Sequence, residues 1–238
     1  MADAADRFEL ESYLIKKAPP KAFYIPNFIS EDEEKFLLDQ INGAPKPKWT
    51  KLSGRRLQNW GGLPHPKGMV PEKLPRWLEK HTTQVGSLSV FNTVTPNHVL
   101  VNEYEPGQGI MPHEDGPLFY PVVSTINLGS HTFLDFYHPL NKREENTEEN
   151  SSSLTLDERY FMSLLLEPRS LFILTEDLYH NYLHGIAERT YDVVTDKVAN
   201  LDACKNTILG DTLQRTTRIS LTIRNVPKIL KFKINLGR

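Results

Sequence analysis

The sequence contains a single cysteine, Cys204, among 238 residues. Because no second cysteine is present, an intrachain disulfide and a zinc site built from several thiolates are both excluded. This composition is typical of a reducing compartment, and we expect the protein in the cytoplasm and the nucleus. No apolar run approaches the roughly 18 residues of a membrane-spanning helix, and residues 1–13 lack the basic and apolar parts of a secretion signal. We therefore expect no membrane association.

Acidic residues are missing from two stretches of the chain, although the overall net charge is only −2. The first stretch lies between Asp39 and Glu72, and the second follows Asp211. Many of the compensating acids fall in residues 142–158, where the polar composition predicts a solvated or disordered loop. The overall charge does not favour nucleic acid as a partner, but the local concentration of lysine and arginine leaves local contacts with phosphates open.

The spacing of hydrophobic residues changes from helical to alternating along the chain. Residues 30–44 begin with Ser30 and Glu33, which have the spacing of a capping box, and predict a helix. A second helix is predicted over residues 71–91. Short alternating runs then predict strands at 98–105, 124–128, 132–137, 163–166, 171–175 and 218–226. Two helices followed by six short strands predict an α+β chain with a sandwich or barrel, and the 17 prolines argue against a helical bundle.

His113 and Asp115 are two residues apart and form part of a candidate metal site. On a strand, side chains at i and i+2 point to the same face, and an imidazole with a carboxylate suits ferrous iron. Alone, the pair is equally typical of a surface turn. A third ligand is needed further along, and we favour His184 because it follows a strand-like run and precedes Gly185, which lets the backbone approach closely. The other candidates are His131, His138 and His180.

Two further strands carry side chains that suit a small dicarboxylate. Arg218 and Arg224 are six residues apart, so on a strand their guanidinium groups share one face and can make bidentate contacts with carboxylates. Asn102 and Tyr104 share a strand face in the same way. Taken alone, each pattern is more typical of an ordinary amphipathic strand.

Residues 45–62 interleave basic residues with two tryptophans. Lysine and arginine can follow a phosphate backbone, and an indole can stack on an exposed base for roughly 1 to 3 kcal/mol. The candidate substrate-binding residues are Lys48, Trp49, Lys51, Arg55, Arg56 and Trp60. The alternative is a solvated segment whose tryptophans pack on the adjacent helix.

The order of these elements resembles the AlkB-type branch of the ferrous iron and 2-oxoglutarate dioxygenases. The matching elements are Asn102-x-Tyr104, Pro106-Gly107, His113-x-Asp115, His184-Gly185-Ile186 and Arg218-x5-Arg224. The resemblance implies that residues 98–238 form a double-stranded β-helix, or jelly roll. Residues 1–97 would add supporting helices and a basic nucleotide-recognition lid to the same domain.

The resemblance also implies a chemistry that uses Fe(II), 2-oxoglutarate and O2. The iron ligands would be His113, Asp115 and His184, and the residues that hold 2-oxoglutarate would be Asn102, Tyr104, Arg218 and Arg224. Arg218 would pair with the distal carboxylate, and Arg224 would lie near the metal-bound end. The segments 142–158 and 187–215 would be insertions that affect access of the substrate.

The function implied by the resemblance is oxidative demethylation of N-alkylated bases in DNA or RNA, with release of formaldehyde. Two alternatives remain open: a 2-oxoglutarate oxygenase that acts on a protein side chain, and a nucleic-acid-binding module without productive oxidation. We expect the protein to be a monomer.

Overall fold

The computed structural model describes residues 9–140 and 154–230. Most of the acidic stretch predicted at 142–158 and the last eight residues of the basic C-terminal tail lie outside this part of the chain. Within the described residues, no helix has the length and apolar character needed to cross a bilayer.

Four α-helices and thirteen strands make up the described structure. In chain order they are β1 (Ala22–Ile25), α1 (Glu31–Asn42), β2 (Thr50–Lys51), β3 (Arg56–Trp60), α2 (Arg76–Gly86), β4 (His98–Tyr104), β5 (Ile110–His113), β6 (Val122–Gly129), β7 (Thr132–Tyr137), α3 (Leu156–Arg159), β8 (Tyr160–Leu166), β9 (Leu171–Thr175), α4 (Glu176–His180), β10 (Leu183–Ile186), β11 (Tyr191–Val193), β12 (Thr212–Gln214) and β13 (Arg218–Arg224). All six predicted strands are present, two of them with the predicted bounds.

The strands form two antiparallel sheets that pack against each other, with a small third sheet beside them. The major sheet has the order β1-β9-β6-β13-β4-β3-β2, and the minor sheet has the order β5-β10-β7-β8. Apolar side chains fill the space between the sheets, among them Tyr24, Phe136, Leu164 and Leu174. This arrangement confirms the predicted jelly roll.

The two long helices cover the outer face of the major sheet. α1 begins at a complete capping box, in which the Ser30 hydroxyl accepts from the Glu33 backbone and the Glu33 side chain accepts from the Ser30 backbone. Its buried side chains Leu37 and Ile41 join an apolar cluster with residues of the outer sheet face. The second helix is shorter than predicted, since α2 extends only from Arg76 to Gly86. It begins after Pro75 because proline is tolerated at the start of a helix but breaks its interior.

The basic segment 45–62 contains a β-hairpin made of β2 and β3, preceded by a 3-10 turn at Lys46–Lys48. β3 pairs with β4, with Leu57 opposite Asn102 and Arg56 opposite Glu103, so the hairpin extends the major sheet. Residues 22–25 extend the same sheet from its other end through the pairing of β1 with β9. Strands from the first 97 residues therefore belong to the same major sheet as strands from residues 98–224.

Residues 187–215, predicted as an insertion, contain the β11–β12 hairpin and are held together by a buried carboxylate. Asp192 is fully buried and accepts two hydrogen bonds from Arg215, both at 2.7 Å, and one from Arg189 at 2.6 Å. Burial alone would raise the pKa of Asp192, but the contact with His131 at 3.3 Å, the hydrogen bonds from Arg215 and the charges of Arg215 and Arg189 outweigh it and lower the pKa. The ionised carboxylate thus stabilises the segment in the folded protein.

Candidate active site

Three side chains that can bind a metal converge at one end of the cavity between the sheets. β5 and β10 are antiparallel neighbours that place His113 opposite His184. Side chains directly opposite each other on an antiparallel pair lie on the same face, and the two ring centroids are 4.7 Å apart. With Asp115, they offer ligand atoms that all lie within 4.8 Å of one another.

Asp115 lies beside the two histidines, as predicted, but it is not on the strand of His113. We expected His113 and Asp115 on one strand, but β5 ends at His113 and Asp115 lies in the following loop. The Arg224 Nη1 atom donates to Asp115 Oδ1 at 3.0 Å and holds the carboxylate toward the two histidines. A long-range contact with β13, rather than strand alternation, therefore brings this carboxylate into the cluster.

The three residues fit ferrous iron. Among the described residues, the buried Oδ2 atom of Asp115 has no hydrogen-bond partner, and it lies 3.5 Å from His184 Nε2. The Nδ1 atom of His113 is 2.9 Å from the Met111 carbonyl oxygen, which can only accept, so the ring proton lies on Nδ1 and Nε2 is free for a metal. Burial lowers the pKa of His184 to about 4, which leaves a neutral imidazole at neutral pH.

A cavity of about 240 Å³ adjoins the three residues, between the two sheets. All seven residues predicted for metal and 2-oxoglutarate line it: Asn102, Tyr104, His113, Asp115, His184, Arg218 and Arg224. The even-numbered residues of β13 face the cavity, whereas Ile219, Leu221 and Ile223 face the helices. β13 lies between β4 and β6, so it is not the solvent-facing strand that its pattern alone would favour.

Arg218 carries a buried positive charge at the wall of the cavity. The residue is 4% exposed, its Nη2 atom donates to Asn127 Oδ1 at 2.6 Å, and its Nε atom has no partner among the described residues. Burial lowers its pKa to about 10, so the group remains charged at neutral pH. None of the ion pairs among the described residues includes Arg218. A buried cation without a carboxylate partner suits an anionic ligand such as the distal carboxylate of 2-oxoglutarate.

Four of the six residues predicted to bind substrate make contacts within the hairpin region. Lys48 lies 3.6 Å from a carboxylate oxygen of Glu72 and 4.3 Å from the centroid of a Trp60 ring. Arg56 pairs with Glu103, with an Nη2 to Oε2 distance of 2.7 Å, and its guanidinium lies 4.0 Å from a Trp49 ring. The ring of Trp60 also packs edge-to-face on Trp77 of α2, which agrees with the alternative of packing on the adjacent helix. A substrate role for these four residues stays a prediction.

The other two residues, Lys51 and Arg55, differ in orientation. Lys51 is exposed on β2. Arg55 is partly buried, lines the cavity, and donates from Nε to Asn102 Oδ1 at 3.1 Å. Arg55 was predicted among the nucleic-acid contacts, and its position at the cavity was not foreseen. The alternation of β3 was a usable signal, because Arg55 immediately precedes Arg56 and adjacent residues of an extended chain point to opposite faces.

Comparison with known proteins gives a consistent family assignment. Residues 48–224 match the sequence model of the 2OG-Fe(II) oxygenase superfamily. The zebrafish (Danio rerio) protein named "Probable RNA/DNA demethylase ALKBH6" is 55% identical over 230 residues, which cover 97% of this chain and 96% of the zebrafish protein. Uncharacterized protein L905 of Acanthamoeba polyphaga mimivirus is 30% identical over 210 residues, or 86% of this chain and 84% of the viral protein. The solved structure of OsALKBH1 superposes with a TM-score of 0.55 at 16% identity, covering 87% of this chain and 99% of that one, and supports the fold.

Proposed function

The chain belongs to the 2OG-Fe(II) oxygenase superfamily, and we propose that it oxidatively demethylates N-alkylated bases in RNA or DNA. The observation that carries the proposal is the convergence of His113, Asp115 and His184 in the cavity that Arg218 also lines, where its guanidinium has no carboxylate partner among the described residues. This arrangement provides a metal site and an anion site in one cavity. The nucleic-acid substrate class is supported by the zebrafish relative, which is named as a probable RNA/DNA demethylase.

The side chains have separable tasks in this reaction. His113 and His184 would bind Fe(II) through Nε2, and Asp115 through Oδ2, while Arg224 holds the other oxygen of Asp115 at 3.0 Å. Arg218 would bind the distal carboxylate of 2-oxoglutarate and orient the cosubstrate toward the metal position. Iron held there, with 2-oxoglutarate and O2 as cosubstrates, would supply the oxidation of an N-methyl carbon, with conversion of 2-oxoglutarate to succinate and CO2. The resulting N-hydroxymethyl group would release formaldehyde and leave an N–H on the base.

The direct test measures succinate released from 2-oxoglutarate by the iron-loaded protein with a panel of methylated DNA and RNA oligonucleotides. We expect at least one oligonucleotide to stimulate succinate formation and to lose its methyl group. Unmethylated oligonucleotides of the same sequence provide the control. Succinate that no oligonucleotide stimulates would contradict the nucleic-acid substrate and leave the oxygenase chemistry in place.

A second candidate is an oxygenase that acts on a protein side chain. The observation that favours it is that Lys48, Trp49, Arg56 and Trp60 already have partners within the protein. A nucleic acid would have to displace these contacts or bind to the parts of these side chains that the contacts leave accessible. Stimulation of succinate formation by a protein or peptide, and not by any oligonucleotide, would identify this alternative.

Lys51 offers a sharp test between the two substrates, because it is exposed on the hairpin and forms no ion pair among the described residues. If it contacts a phosphate, Lys51→Gln should reduce the slope of log Kd for an oligonucleotide against log salt by about 0.7 to 0.9. Lys205→Gln, which removes an exposed charge from the 187–215 segment, is the matched control and should leave the slope unchanged. Equal slopes for wild type and both variants would argue against nucleic-acid contact through Lys51.

A further inference from the structure

Arg55 occupies an unusual position, because it belongs to the basic hairpin but points into the cosubstrate cavity. Its neighbour Arg56 lies opposite Glu103 on β4 and pairs with it on the outer face of the sheet. Arg55 immediately precedes β3, and its side chain lies on the other side of the sheet from that of Arg56. Its Nε atom donates to Asn102 Oδ1 at 3.1 Å, and its side chain lines the cavity together with Tyr104 and Arg218.

The tip of the hairpin is closely packed against Gly109, which precedes β5 and in turn packs against β10, the strand of His184. The Leu52 N–H donates to the Arg55 carbonyl oxygen at 2.8 Å and closes the turn. A Cβ atom at Gly54 would lie 2.6 Å from the Gly109 carbonyl oxygen, so only glycine allows this approach without a shift. A Cβ atom at Gly109 would in turn lie 2.1 Å from the carbonyl oxygen of Ile186, on the strand of His184. Arg55 is therefore held at the cavity by close backbone packing.

Two positive charges consequently approach Tyr104. The Arg218 guanidinium carbon is 5.6 Å from the centroid of the Tyr104 ring. Burial raises the pKa of Tyr104, and the charges of Arg218 and Arg55 both act to lower it. Among the described residues neither arginine has a carboxylate partner, whereas Arg224, near the metal ligands, is paired with Asp115. Both guanidinium groups therefore line one cavity without a carboxylate partner in the described part of the chain, and such groups bind carboxylate ligands through charge-assisted hydrogen bonds.

We infer that Arg55 is a cosubstrate-binding residue, which shares the distal carboxylate of 2-oxoglutarate with Arg218. The inference rests on the proposed use of 2-oxoglutarate and adds a residue from the hairpin to its site. Because Arg55 belongs to the hairpin that carries the residues predicted to bind substrate, its contact with 2-oxoglutarate would couple occupancy of the cosubstrate site to the stability of the hairpin. Such coupling is reciprocal, so a ligand that stabilises the hairpin in this position would also strengthen cosubstrate binding.

The test compares the affinity of the full-length, iron-loaded protein for 2-oxoglutarate by calorimetry in the absence of oxygen, so that no turnover occurs. Arg55→Gln should weaken binding about tenfold, since it removes a charge-assisted hydrogen bond. Arg55→Lys keeps the charge and should recover part of the loss. Lys46→Gln removes an exposed positive charge just before the hairpin and serves as the matched control, with an unchanged affinity expected.

A second probe separates the role of Arg55 from a general weakening of the fold. In 2-oxopentanoate a methyl group replaces the distal carboxylate, so wild type and Arg55→Gln should bind it equally weakly. Hydrogen exchange of the backbone amides of residues 52–56 should slow on addition of 2-oxoglutarate to wild type, and not in Arg55→Gln. If wild type binds 2-oxoglutarate and Arg55→Gln binds it with the same affinity, the inference is overturned. No binding of 2-oxoglutarate by wild type would instead overturn the proposed function.

Discussion

Replacing His184 with alanine should abolish both iron binding and succinate formation, whereas replacing His180 with alanine should leave both intact. The two histidines are four residues apart, but only one of them lies in the cavity. The side chain of His184 is 12% exposed and its Nε2 atom lies 3.5 Å from Asp115 Oδ2. His180 is exposed at the end of α4 and is not part of the three-residue cluster. Removal of one of three protein ligands leaves two, which is too few for the 2-His-1-carboxylate site of ferrous oxygenases.

The measurement is a titration of the apoprotein with Co(II), followed by its visible absorption, together with succinate formation by the iron-loaded protein. Wild type and His180→Ala should give the same binding curve, and His184→Ala should give no saturable binding in the same range. Thermal unfolding of the apoproteins shows whether either variant has lost its fold. Loss of Co(II) binding in a folded His180→Ala protein, or its retention in His184→Ala, would contradict the assignment of ligands.

The preference for His184 over His180 illustrates what the sequence could predict. The choice depended on a strand-like run expected before His184 and on Gly185 after it, which are both local features. In the structure α4 precedes this position and His184 lies on β10 itself, next to Gly185. The capping box at Ser30 and the alternation of β13 are local in the same sense, and the structure contains both. Patterns within a few residues therefore sufficed to predict a sandwich or barrel of short strands and to select the ligand candidates, whereas the jelly roll and the roles of the ligands were implied by the family resemblance.

Features that depend on contacts between distant segments could not be predicted in this way. β1 was missed because Ala22 and Tyr24 pack between the sheets while Phe23 and Ile25 pack under the helices, so its hydrophobicity does not alternate. The loop position of Asp115 depends on Arg224, more than one hundred residues later. Likewise, nothing near Arg218 in the sequence indicates that Asn127 accepts its hydrogen bond across β6 and β13.

Replacing Arg218 with glutamine should raise the Kd for 2-oxoglutarate about 100-fold, because a bidentate contact between a guanidinium and a carboxylate is lost. The same substitution should not lower the stability of the apoprotein. In wild type the buried charge of Arg218 has no carboxylate partner among the described residues, so its desolvation is not offset by an ion pair. Glutamine can still donate a hydrogen bond to Asn127 without this charge.

Arg215 is the matched control, since it is also a buried arginine and lies three residues earlier. Its guanidinium makes hydrogen bonds within the protein. Nε and Nη2 both donate to the Asp192 carboxylate at 2.7 Å, and Nη1 donates to the Ala187 carbonyl oxygen at 2.9 Å. Arg215→Gln should therefore lower the free energy of unfolding by about 3 to 5 kcal/mol, because it leaves Asp192 with an incompletely compensated buried charge. The affinity for 2-oxoglutarate should remain that of wild type.

The two variants together distinguish a ligand-binding charge from a structural one. Calorimetry without oxygen gives the Kd for 2-oxoglutarate, and urea unfolding of the apoprotein gives the free energy of unfolding. Arg218→Gln should change the first quantity and not lower the second, and Arg215→Gln should do the reverse. If Arg218→Gln destabilised the apoprotein as strongly as Arg215→Gln while 2-oxoglutarate bound with unchanged affinity, Arg218 would be a structural residue. The unpaired charge in the cavity would then need another explanation than the cosubstrate.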